Sequence, residues 1–325
     1  MSSWIQRVGA LLGGRTPAAV VAALESRACR GASQVQVAPA PRVLVAETPT
    51  VAEAAIPDPQ QPFFEWLLDT GATLDVPLLP HEHRLLARLD LVLASDAAPA
   101  DLLPRAPAVI PQLMNSLRDE SQSAHALAER VAKDPNLVAE VIRLANSALT
   151  RAAEPVSDLA QAISRLGTQG LRRAIAKVVL KPIFDAPPNS LSGRAAPRLW
   201  LHSEAKAAEC LRLAAVAGLD PFEGYLAGLM HNIGWTAMLR ALDRALARHG
   251  AAGAPPLQYS SAFVQALGPR RELFFARLVM PWQLTDSLTA LAAELRDDGL
   301  IATRSALGKA LRAADRSASL AMLRV

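Results

Sequence analysis

Aromatic side chains make up only 4% of this 325-residue chain, and cysteine occurs just twice. The shortage of aromatics speaks against a sheet protein, because strands draw on aromatic and β-branched side chains to pack a pleated surface. Cys29 and Cys210 lie far apart and match no metal-binding or redox spacing. Both read as ordinary reduced thiols, which suits a cytosolic compartment. No run approaches the ~18 consecutive apolar residues of a membrane span. The opening residues, Met1-Ser-Ser-Trp-Ile-Gln-Arg-Val, lack the basic-then-apolar order of a signal peptide, so a cytoplasmic protein is expected. No phosphate loop is present, since Gly13-Gly14 lacks the lysine and the preceding strand that one needs. A Gly-x-Ser-x-Gly nucleophile elbow is missing too. Strong charge of one sign is also absent. A net charge of +4 and a pI near 9.4 permit contact with nucleic acid or an anionic surface without demanding it.

What is present is a globular composition, 51% apolar and 20% charged, rich in alanine and leucine. That mix favours helices. Residues 1–30 carry a weak amphipathic pattern of Trp4, Ile5, Val8, Leu11 and Leu12, broken at Gly13-Gly14. Residues 31–62 hold six of the prolines and read as a Pro/Ala-rich linker. Residues 63–99 form a short helical segment, with helices expected over 63–68 and 82–93. Residues 100–325 form the main helical domain. Within it, Asp134-Pro135 is an N-cap followed by proline at the first helical position. Ser157 is a candidate cap for the next helix, Gly167 its terminator, and Thr168 the cap of another running to about Leu180. Residues 187–193 read as a loop. Helical patterns resume over 199–217, 222–231, 235–248, 271–279, 285–295 and 303–323. No stretch alternates with period two for long enough to compete, so the expected fold is all-α, helix on helix.

Several motifs then fall in one order. Leu103-Pro-Arg-Ala-Pro-Ala-Val-Ile-Pro is followed by Val131-Ala-Lys-Asp-Pro-Asn-Leu, Arg143-Leu-Ala-Asn-Ser-Ala and Pro155-Val-Ser-Asp-Leu-Ala-Gln-Ala-Ile-Ser-Arg-Leu-Gly. Trp200-Leu-His-Ser and Gly228-Leu-Met-His-Asn-Ile-Gly come later. Over roughly residues 100–300 this series resembles the HDOD domain, a relative of the HD-type metal phosphohydrolases. The resemblance implies an all-α fold, a role in bacterial signalling or regulation, and loss of the catalytic metal site.

HD-type hydrolysis needs histidines and carboxylates converging from several helices on one or two divalent ions. By the resemblance, His202 matches the first histidine and His231 the second. The aspartate that should follow is Asn232, a neutral amide and a poor transition-metal ligand. Phe274, Phe275, Ala292 and Ala293 stand where catalytic relatives place further histidines, and Asp315 is a candidate for the closing aspartate. At most, His202, His231 and Asp315 make a two-histidine, one-carboxylate site. The favoured reading is that both histidines pack against their helices and hydrogen-bond locally. Gly234 is expected to permit a tight helix turn rather than to contact phosphate. No cofactor is expected.

His81 and His83 read as exposed loop histidines. Arg172 and Arg173 open a helix in a stretch that mimics a helix-turn-helix, but the apolar Ile175, Val178, Val179 and Leu180 suit burial better than DNA reading. The two arginines are expected to be solvated or to face a partner. The sequence therefore suggests a non-catalytic regulatory module that binds other signalling proteins. Any ligand pocket is expected near His202, His231 and Asn232, with a cyclic dinucleotide or another nucleotide as its occupant by analogy. The rivals are a degenerate one-metal phosphohydrolase and a nucleic-acid-binding regulator. Alanine-rich helices are also compatible with a dimer.

Overall fold

The computed structural model describes residues 59–95, 101–103, 128–129, 131–146, 155–248 and 258–324. The expected amphipathic segment 1–30 and most of the expected linker 31–62 lie outside them. Among the described residues there is no β-strand, only an isolated bridge between Leu74 and Ser260. No helix among them is long and apolar enough to cross a membrane.

The helices are α1 (Gln60–Leu68), α2 (Pro80–Ala94), α3 (Pro135–Ala145), α4 (Leu159–Leu180), α5 (Leu191–Val216), α6 (Pro221–His231), α7 (Ile233–Arg248), α8 (Ser261–Val279), α9 (Asp286–Asp298) and α10 (Ala306–Met322). The described residues divide into two units, one falling within 121–174 and the other within 58–120 and 175–325.

In the first unit, Asp134 caps α3 as its sequence suggests, its carboxylate accepting from the backbone N–H groups of Asn136 (2.8 Å) and Leu137 (3.4 Å). The cap of α4 is Asp158 rather than Ser157, because its carboxylate reaches the N–H of Gln161 at 2.8 Å. The span α4 is two helices that meet at Gly167, whose φ of 62° and ψ of −173° break the helical path and are open to glycine but strained for other residues. Asn146 ties the end of α3 to the approach of α4, exchanging two 2.7 Å bonds with the backbone of Val156.

The second unit holds a large apolar core. Its widest buried side chains include Phe64, Trp235, Tyr259, Phe263, Phe274 and Phe275. Helices α5 and α8 begin well before the positions their periodicity suggests, at Leu191 and Ser261 instead of residues 199 and 271. Pro197 and Pro269 hide this. A proline inside a helix removes a backbone bond and normally ends the pattern, yet both lie within continuous helix here. Caps and packing outweigh them. Ser190 caps α5, and Asp243 of α7 accepts from the N–H groups of Leu191 and Ser192 at 2.7 and 3.1 Å. Ser260 caps α8 and is itself held by the buried carboxylate of Glu82 in α2.

Two close approaches set the geometry that matters next. A Cβ added to Gly228 of α6 would lie 2.7 Å from Cα and 2.8 Å from N of Ala207 in α5, so only glycine lets these helices touch. Gly234 lies in the first turn of α7, and a Cβ there would meet the Arg271 carbonyl of α8 at 2.4 Å.

Candidate functional site

Helix α5 buries a stripe of Leu199, His202, Ser203, Lys206, Ala207, Cys210 and Ala214. The spacing of three and four residues is that of one helix face. Two polar side chains one turn apart, His202 and Lys206, therefore point inward together, and neither is exposed at all. The contact at Gly228 brings the end of α6 against this stripe, which places His231 and Asn232 opposite them. Helix α10 supplies Asp315 and Ser319, and α8 supplies Arg271 and Glu272.

The centre of the cluster is the Lys206 ammonium. Its Nζ lies 2.8 Å from Asp315 Oδ1, 2.7 Å from Asn232 Oδ1 and 3.1 Å from His231 Nδ1. An ammonium has three protons and no lone pair, so all three partners accept. That orients the rest. With its oxygen on Lys206, the Asn232 amide turns its NH2 toward the Leu199 carbonyl (3.1 Å), Ser203 Oγ (2.9 Å) and His202 Nδ1 (3.0 Å). His202 Nδ1 accepts, which leaves Nε2–H to donate to Ser319 Oγ at 3.2 Å. By the same logic, His231 accepts at Nδ1 and donates from Nε2 to Glu272 Oε2 at 2.8 Å. Glu272 Oε1 accepts from Arg271 Nε and Nη2 at 2.8 and 2.5 Å. Arg271 Nη1 closes the circuit 3.5 Å from Asp315 Oδ2.

Burial and the neighbouring cations set the charges. Burial, reinforced by Lys206, pushes the His202 imidazole down to about 3, so it is neutral at ordinary pH. Burial alone would raise Glu272, but Arg271 and His231 outweigh it and hold its carboxyl at about 2. Asp315 is held well below the usual carboxylate range, where Lys206 and Arg271 overcome the effect of burial. Burial lowers the Lys206 ammonium, and Asp315 opposes it. Ring contacts seal the cluster: Phe63 of α1 lies 4.5 Å from the His202 ring, and Phe275 is edge-on to His231 at 5.4 Å. The side chains of Arg271 and Asp315, 12% and 15% exposed, form its edge toward solvent.

His202, His231, Asn232 and Asp315 are thus brought into one buried cluster. The divalent ion of HD-type hydrolases does not fit the residues as they stand. Both ring nitrogens of each histidine are engaged, the amide of Asn232 uses its oxygen and its NH2, and a cation already sits among the acceptors. Among the described residues, no group of three or more histidine, cysteine or acidic side chains is arranged to hold a metal. Phe274 and Phe275 are core residues. A cavity of about 300 Å³ lies elsewhere, between α2 and α7, lined by Arg88, Leu91, Val92, Asp101, Leu102 and Arg244.

The remaining sequence candidates fall outside the cluster. Arg172 is buried, contrary to the solvated or partner-facing position expected of it, while Arg173 is half-buried with Nε 3.4 Å from the Gln169 carbonyl. His81 and His83 are in the first turn of α2, not in a loop, with His81 half-buried and His83 exposed. The charged cluster members that sequence reasoning missed are Lys206, Arg271 and Glu272. Lys206 was the detectable one, because a lysine four residues after His202 interrupts a stripe that is otherwise small or apolar.

With this geometry in view, a family model for the HDOD domain matches residues 103–297. Among solved structures, a proposed metal-dependent phosphohydrolase from Shewanella amazonensis is similar, with 22% identity and a TM-score of 0.54 over 73% of this chain and 82% of that one. An HDOD domain protein of unknown function from Geobacter sulfurreducens shows 23% identity and a TM-score of 0.47 over 65% of this chain and 71% of its own. An uncharacterized protein of Treponema pallidum (strain Nichols) is 19% identical over 177 residues, which cover 54% of this chain and 34% of that protein. This chain therefore matches about a third of the length of that relative.

Proposed function

The chain belongs to the HDOD family, and from that membership we propose that it is a non-catalytic bacterial signalling or regulatory protein acting by binding other proteins. The observation that carries the reading is Asn232. Where a hydrolase needs a carboxylate, this side chain is an amide whose NH2 reaches three acceptors, the Leu199 carbonyl, Ser203 and His202. Such an amide is part of the packing of α5 against α6. Hydrolysis of a phosphoester also requires an activated water and a cation to neutralise phosphate charge. His202, fully buried and neutral, is poorly placed to ligate or to exchange protons with solvent. A helical surface is a suitable platform for protein recognition, with a nucleotide as a further ligand by analogy with the relatives.

The test is metal content by mass spectrometry after growth with added manganese and iron, joined to turnover of a panel of phosphomonoesters and phosphodiesters. The reading expects sub-stoichiometric metal and no turnover. About one ion per chain, lost together with phosphoesterase activity in His231→Ala, would overturn it.

A further inference from the structure

We propose that the Lys206 ammonium is an internal replacement for a divalent cation, and that removing it while restoring a carboxylate at position 232 opens a site that takes up a transition-metal ion. The inference rests on the non-catalytic reading above and deepens it. Three atoms of ligand type, an imidazole nitrogen, an amide oxygen and a carboxylate oxygen, converge on one point from α6, the α6–α7 junction and α10, and that point is Lys206 Nζ. They lie 2.7–3.1 Å away, the spacing of an ammonium. Imidazole and carboxylate ligands sit ~2.0–2.2 Å from zinc, so shifts of roughly 0.5–1.1 Å convert one arrangement into the other.

Charge supports the same conclusion. Lys206 and Arg271 are the cations of the buried cluster, and Asp315 and Glu272 its anions, so it balances. Replacing Lys206 by alanine and Asn232 by aspartate leaves two uncompensated negative charges, which one divalent ion neutralises. The Lys206 side chain enters from α5, so its truncation vacates space on the ion's open side for water ligands. His202 Nδ1, now facing the Asn232 amide, can donate instead to the outer oxygen of an aspartate and orient it, as hydrogen-bonded neighbours of metal ligands do.

The test uses the full chain with Mn2+ or Zn2+ alone as probe, read by calorimetric titration and thermal melting. Wild type is expected to bind no ion in the cluster. Lys206→Ala/Asn232→Asp is expected to bind about one ion per chain and to gain melting temperature as the ion is added, with both effects lost on adding His231→Ala. A folded double variant that takes up no ion overturns this inference and leaves the non-catalytic reading intact. An ion held by wild type through His231 overturns both. If the double variant is unfolded without metal, refolding on addition of the ion counts in favour, and failure to refold counts against. Wild type gives an independent reading by NMR of 15N-lysine-labelled protein. A slowly exchanging ammonium at Lys206 at neutral pH is expected, and a neutral amine there overturns the proposal.

Discussion

Lys206→Met isolates the contribution of the buried cation. Methionine keeps much of the length of the chain and removes the charge, so the change leaves the Asp315 carboxylate facing His231 and Asn232 without its ammonium, which lies 2.8 Å away in the wild type. Breaking a buried ion pair on one side costs ~3–5 kcal/mol, because the remaining charge is stranded in low dielectric. Arg271, 3.5 Å from the other Asp315 oxygen, and the 15% exposure of that side chain place the expected loss at the lower end, about 3 kcal/mol. For a protein of this size that corresponds to a fall of roughly 4–5 °C in melting temperature. The assay is urea unfolding followed by tryptophan fluorescence, to which the buried Trp235 contributes. Asp315→Asn and the double variant complete a cycle. The double variant should lose less than the sum of the singles, by about 1–3 kcal/mol of coupling. If Lys206→Met stays within ~0.5 kcal/mol of wild type, the ammonium is not what holds α5, α6 and α10 together, and the account of the cluster is wrong.

Stability should also fall in acid in two stages. His202 has its folded value depressed from 6.5 to about 3, so the unfolded chain takes up its proton first and stability drops as pH falls through that window, by ~1.4 kcal/mol per pH unit for one proton. Glu272, depressed from 4.5 to about 2, and Asp315, depressed from 3.8, add a steeper loss below about pH 4.5. The urea midpoint measured from pH 7 to 3 should show both stages, and His202→Gln should flatten the first. An unchanged profile in that variant would contradict a neutral buried imidazole. Gly228→Ala should destabilise by at least ~2 kcal/mol by forcing a methyl against the Ala207 backbone; thermal melting near that of wild type would show that α5 and α6 separate cheaply. Cys210, whose thiol burial pushes up to about 12, should resist thiol reagents in a Cys29→Ser background until the protein unfolds. Modification under native conditions at the unfolded rate would mean that this helix face opens readily.

The all-α architecture and its punctuation were legible in the sequence, because apolar periodicity, N-caps and glycine breaks are local signals. Asp134-Pro135 and Gly167 act as their chemistry suggests. The ordered motifs that mark the family were legible too, and the replacement of a carboxylate by Asn232 was plain from its position alone. Tertiary structure decided the rest. Pro197 and Pro269 interrupt a local pattern, and only capping and packing carry α5 and α8 through them. Arg172 looks like a solvated charge in sequence, whereas the fold buries it. Above all, the cation at the heart of the cluster became visible only on folding. Lys206 lies 25 and 26 residues from His231 and Asn232 and 109 from Asp315, and no local rule links them. Helix periodicity turns Lys206 inward, the missing side chain of Gly228 lets α6 come close, and together they surround one ammonium with the acceptors that a metal ion would otherwise have required.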